Sequence, residues 1–153
     1  MRWLVRTRKP SSTALAFCKT VLDSYDTLDL KSIRIEAGKK GFGVYGFCAL
    51  DDSDFLNSFY IQMHIPGPYP HLVYTREPQN VSDSPSRVSE IVVSPRNIKR
   101  SVTCLRSRSE GLVWLFGHEF FHYLGFTNQV DLPNNEYNAD HFANDLLLKY
   151  RTC

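Results

Sequence analysis

The stretch that most restricts how this chain can fold is residues 105–124. There Leu112, Val113, Trp114, Leu115, Phe116, Phe120, Phe121 and Leu124 leave almost no polar face at helical spacing. A helix apolar on nearly all sides has to be covered on all sides. It therefore predicts a buried central helix, packed between a sheet and the helix that follows. Into this apolar surround the sequence sets Gly117-His118-Glu119-Phe120-Phe121-His122. Four residues apart on a helix, His118 and His122 share a face, so both imidazoles reach one cation. Glu119 flanks that face, where a carboxylate beside a metal-activated water serves as general base. Burial strengthens such chemistry, because a dry setting increases a metal's pull on water and on a carbonyl.

A second constellation follows in Glu136-Tyr137-Asn138-Ala139-Asp140-His141-Phe142-Ala143, after the helix-start signal Pro133-Asn134-Asn135. Glu136 and Asp140 share a helical face, so one carboxylate serves as a third metal ligand while the other holds a ligand histidine from behind. Three protein ligands leave a fourth position for water, which separates a catalytic zinc site from a structural one. Asp131, in the intervening loop over residues 126–135, is a further candidate ligand. His141 points about 100° away from Asp140 around the helix.

Together, HEFFH and EYNADHFA resemble the gluzincin metallopeptidases, in which HExxH is followed by an ExxxD or ExxAD segment. The second motif is similar to segments of the soluble ImmA/IrrE-type regulatory peptidases and of the membrane-bound CAAX prenyl proteases. The resemblance covers the last third of the chain. It implies a zincin-like α+β fold, one zinc ion per chain held by His118, His122 and Glu136, Glu119 as catalytic base, and Asp140 as the partner behind a histidine. It further implies hydrolysis of peptide bonds, and by analogy selective cleavage of one intracellular regulator. HEFFHYLGFTN also resembles the metzincin pattern, but Asn128 stands where that pattern needs histidine or aspartate. No methionine follows it, so that assignment is rejected.

The rest of the chain reads as support. Pro10-Ser11-Ser12 opens a helix whose apolar stripe is Ala14, Cys18, Val21, Leu22 and Tyr25, stopping near Asp26. Period-two alternation then predicts strands over residues 31–37, 44–50 and 59–65, with further strands at 71–76 and 90–94. Residues 1–9 form a short strand or an arm. The expected fold is α+β: an N-terminal helix, one mixed twisted sheet, the metal helix and a C-terminal helix, in a single domain over 1–153. Gly125 is expected to cap the metal helix, and residues 78–89 to form an exposed loop. His64 and His71 are expected to be ordinary strand or loop residues. His141, Tyr137 and Tyr123 are candidates to hold an oxyanion.

Composition limits the alternatives. A net charge of +2 gives no argument for nucleic acid, although Arg2, Arg6, Arg8 and Lys9 make one basic run and Arg96, Lys99, Arg100, Arg106 and Arg108 another. No secretory signal or apolar span of membrane length is evident, so a soluble, cytoplasmic protein is expected. Cys18, Cys48, Cys104 and Cys153 form no CxxC pair and are expected to be reduced. The protein partner expected is a peptide or protein substrate. The rivals are a zincin-fold regulatory or interaction module, binding protein or DNA without peptidase activity, and a zinc hydrolase of non-peptide amides.

Overall fold

The computed structural model describes residues 1–7, 10–38, 43, 45–52, 57–65, 67–77, 88–96 and 98–153. The expected loop over 78–89 and the turns near 38–41 and 51–54 fall largely outside these residues. Elements follow in the order β1 (Arg2–Arg6), α1 (Ser12–Leu22), β2 (Leu30–Ala37), β3 (Tyr45–Leu50), β4 (Phe59–Ile65), β5 (His71–Arg76), β6 (Ser89–Val93), β7 (Lys99–Leu105), α2 (Arg108–Phe126) and α3 (Glu136–Arg151). The mixed α+β class is as expected. The single sheet is not: the strands form a four-stranded sheet, β1-β2-β4-β3, and a separate three-stranded sheet, β5-β7-β6.

In the larger sheet β1, β2 and β4 run parallel and β3 pairs antiparallel with β4. The alternation of β2 and β4 puts Ile33, Ile35, Ile61, Met63 and Ile65 on one face, all buried. That face is covered by α2, whose Phe116 and Phe120 are fully buried, and the stripe Ala14, Cys18 and Leu22 of α1 belongs to the same core. Helix α2 is buried along nearly its whole length, as its lack of a polar face requires. Among the described residues no helix is long and apolar enough to cross a membrane.

The smaller sheet reverses the usual pattern. Thr75, Ser89, Ser101 and Thr103 face inward and are buried, while Leu72, Tyr74 and Val92 are exposed. This polarity is why β7 is not legible as a strand: its inward hydroxyls and outward Val102 and Cys104 give no apolar face at period two. Its basic residues read instead as a surface run.

Helix α2 begins at Arg108, three residues later than expected, because Leu105 ends β7. Ser107 caps it by accepting from the Glu110 amide at 3.2 Å, and the Glu110 carboxylate turns back to accept from the Arg106 amide at 2.8 Å. Arg151 then forks onto Glu110 with bonds of 3.0 and 2.7 Å and donates to the Cys104 carbonyl at 2.7 Å. The far end of α3 is thus fastened to the start of α2. Midway, Gly117 lets the helices close up, since a Cβ there would lie 3.0 Å from both Ala143 Cα and Leu146 Cδ1.

Burial alone would raise the Glu110 carboxyl, but the Arg151 hydrogen bonds, the Arg106 amide and the two arginine charges outweigh it and hold its pKa below the ordinary value. A depressed acid contributes stability that is present above its unfolded pKa and lost as pH falls through the folded one. Urea unfolding from pH 7 downward should therefore show a steeper acid loss in the native protein than in Glu110→Gln. Arg151→Ala should cost about 2 kcal/mol at pH 7.

Candidate metal centre

His118 and His122 project from one face of α2, and Asn135 caps α3 so that Glu136 opens it, bringing its carboxylate to the same point. His118 Nε2 lies 3.0 Å from Glu136 Oε2, His122 Nε2 lies 3.2 Å from Glu136 Oε1, and the two Nε2 atoms are 3.3 Å apart. Among the described residues these three are the one group able to hold a metal ion, their ligand atoms all within 4.8 Å of one another. Asp131 is outside the cluster. His141 pairs instead with the buried Glu77, at 3.2 Å.

The other ring nitrogen of each histidine is occupied. His118 Nδ1 donates to Asp140 Oδ1 at 2.7 Å, and the opposite carboxylate oxygen, Oδ2, accepts from Thr75 Oγ1 at 2.5 Å. His122 Nδ1 is 2.7 Å from Asn134 Oδ1. The Asn134 amide donates its Nδ2 to the His122 carbonyl at 3.3 Å, which fixes its orientation and makes Oδ1 the acceptor. Both imidazoles therefore carry a proton on Nδ1, and both turn an Nε2 lone pair toward the Glu136 carboxylate. Two lone pairs and a carboxylate crowded at 3.0–3.3 Å need a cation or added protons between them, and this donor set suits a divalent metal.

The field around the site has the same sign. Burial alone would lower the His118 pKa, but the Asp140 hydrogen bond and the charges of Glu119, Asp140 and Glu136 hold it above the ordinary value. Glu119 itself is 4 % exposed. Its pKa is pushed up to about 7, chiefly by burial, with the Glu136 and Asp140 charges adding and His118 opposing. Trp114 stacks on His118, ring centroids 5.5 Å apart, and its Nε1 donates to Asn144, which also accepts from Thr103. Glu136, Asp140 and Asn144 thus form one stripe, each a helical turn after the last, that presents the site's polar groups.

Three contributors escape sequence reasoning. Asn134 is available as a cap but serves His122, while Asn135 caps α3. Gly125 is the penultimate residue of α2 and not its cap, which is Thr127, and a Cβ on it would sit 2.5 Å from Asn134 Cγ. The positive φ near the helix end belongs to Asn128. Gly46, on β3, lets Glu119 tuck beneath the strand: a Cβ there would meet Glu119 Oε1 and the Gln62 carbonyl, each at 2.9 Å. The spacing x-Asn-Asn-Glu before α3 is the one available signal, and it does not distinguish capping from holding a histidine.

A cleft leads to the cluster, walled by Gly43, Tyr45 and Gly46 on one side and by 71–74 on the other. His71 is thus a cleft residue, whereas His64 sits with Gln62 on the outer face of the larger sheet. Tyr123 donates to the Asp26 carbonyl and is spent structurally. Tyr137 lies tilted against His141, centroids 4.3 Å apart, beside Glu77. The four cysteines are free, with Cys48 near Glu119. Comparison with known protein families, with characterised proteins and with solved structures yields no match.

Two outcomes test this geometry. Gly46→Ala should displace the Glu119 carboxylate while leaving any uptake of added divalent metal unchanged, as read by elemental analysis. In metal-free protein, a carboxyl whose folded pKa is raised loses stability as pH climbs from its unfolded value toward 7. Glu119→Gln should therefore match the native protein at pH 4 and exceed it by on the order of 2 kcal/mol at pH 8 in urea melts.

Proposed function

We propose that this chain is a zinc-dependent metallopeptidase with a zincin-like arrangement of sheet, metal helix and ligand-bearing helix. The observation that carries the reading is the convergence of two Nε2 lone pairs and the Glu136 carboxylate, each imidazole locked from behind, beside a buried carboxylate at a cleft floor. Zinc held by His118, His122 and Glu136 would supply a Lewis acid that polarises a scissile carbonyl and acidifies a water. Glu119 takes the proton of the attacking water on its carboxylate and passes it to the leaving amine nitrogen, so the base ends each cycle as it began. Asp140 and Asn134 keep the two imidazoles in the tautomer that ligation needs.

The outer edge of β3, without a strand partner among the described residues, runs beside Glu119 and offers backbone donors and acceptors to an extended substrate. The reading extends to selective cleavage of a particular protein substrate laid along this cleft.

The test is elemental analysis of purified protein beside peptide hydrolysis. About one zinc per chain should be present in the native protein and in Asp131→Ala, and should be lost in Glu136→Ala. Glu119→Gln should keep its zinc and lose roughly 10²–10⁴-fold in hydrolysis. Absence of metal after zinc is supplied would overturn the reading and favour a non-enzymatic interaction module.

A further inference from the structure

Four consecutive residues of β5, His71, Leu72, Val73 and Tyr74, line the cleft that holds His118, Glu119 and Glu136. Side chains of a strand alternate between its faces, so a face contributes every second residue to a cavity. A wall built from consecutive residues is a strand's edge. Strand β5 is outermost in its sheet, and β3, which supplies Tyr45 and Gly46 to the opposite wall, is outermost in the other. Two sheets thus turn toward one cavity edges that have no strand partner among the described residues.

Open edges are templates for pairing, and proteins usually blunt them with lysine, proline or a covering element. Neither Tyr45–Leu50 nor residues 71–75 contain a lysine or a proline. Among the described residues the cleft is what lies between these two edges, and an extended chain is the element that could use the backbone groups of both.

We propose that the substrate is an extended peptide segment that enters as a strand between β3 and β5 and pairs with both, joining the two sheets through its own backbone. The inference rests on the peptidase reading and adds a second, independent wall to it. Neighbouring residues of a strand turn their N–H and C=O groups to opposite sides. One set of alternate substrate residues would therefore bond β3 and the other set β5. The double pairing is confined to one side of the metal. Beyond Glu119 the adjoining cavity is walled by Gly46, Phe47 and Cys48 with His122 and Phe126, and β5 takes no part. The substrate class that follows is an unfolded or exposed extended segment rather than a helix, held by main-chain bonds on both sides of half its length.

The experiment uses zinc-loaded Glu119→Gln protein and two oligo-alanine probes, one carrying a zinc-binding hydroxamate at its C-terminal end and the other at its N-terminal end. Amide hydrogen exchange is then followed along β3 and β5. One probe should slow exchange on both strands by about tenfold or more, and the other on β3 alone. For the first probe, N-methylation of either alternate set of its amides should weaken binding by calorimetry. Protection of β3 without β5 by both probes, or sensitivity of one alternate set only, would overturn the two-edged cleft and leave the peptidase reading intact. Failure of the protein to take up zinc, or to bind acetohydroxamate once loaded, would overturn both.

Discussion

Everything at the centre depends on one buried carboxylate. Asp140 receives the Thr75 hydroxyl on one oxygen and the His118 imidazole on the other, so a single side chain ties the smaller sheet, α3 and α2 together. A carboxylate 7 % exposed would be costly without such partners, and the loss of either would leave a charge poorly compensated. The tautomer of His118, the placement of β5 and the docking of α3 are therefore facets of the same hydrogen-bonded unit.

This dependence accounts for the inverted polarity of the smaller sheet. A sheet packed on an apolar helix face turns valines and isoleucines inward, but this one packs on a face bearing Asp140 and Asn144. Thr75 and Thr103 supply the donors those residues need, and the apolar side chains are displaced to the outer face. The larger sheet shows the ordinary pattern because α2 offers it Phe116 and Phe120. The two sheets thus divide the work, one supplying apolar burial and the other polar support.

The same division explains what could be read from residues alone. Helices α2 and α3, the shared face of His118 and His122, and that of Glu136 and Asp140 follow from local periodicity, since each lies within one helix; that the two faces meet was expected only from the resemblance of the paired motifs. The strand β7 does not, because its buried face is polar for reasons that lie on α3. Nor do Gly46 and Gly125, whose missing side chains matter only once Glu119 and Asn134 arrive from elsewhere in the chain. Asn134 was legible as a helix-start residue, but its bond to His122 depends on how the loop returns. The split into two sheets likewise turns on which strands pair, which periodicity leaves open.

The stacking of Trp114 on His118 has an optical consequence. The indole lies within a few ångströms of an imidazole that stands at the proposed ligand position, so its excited state senses the charge placed there. The chain has one other tryptophan, Trp3, which stacks on Phe116 in the core and serves as an internal reference. Intrinsic fluorescence is therefore expected to report protonation of this cluster, or a cation added to it, without a label or a chromogenic substrate.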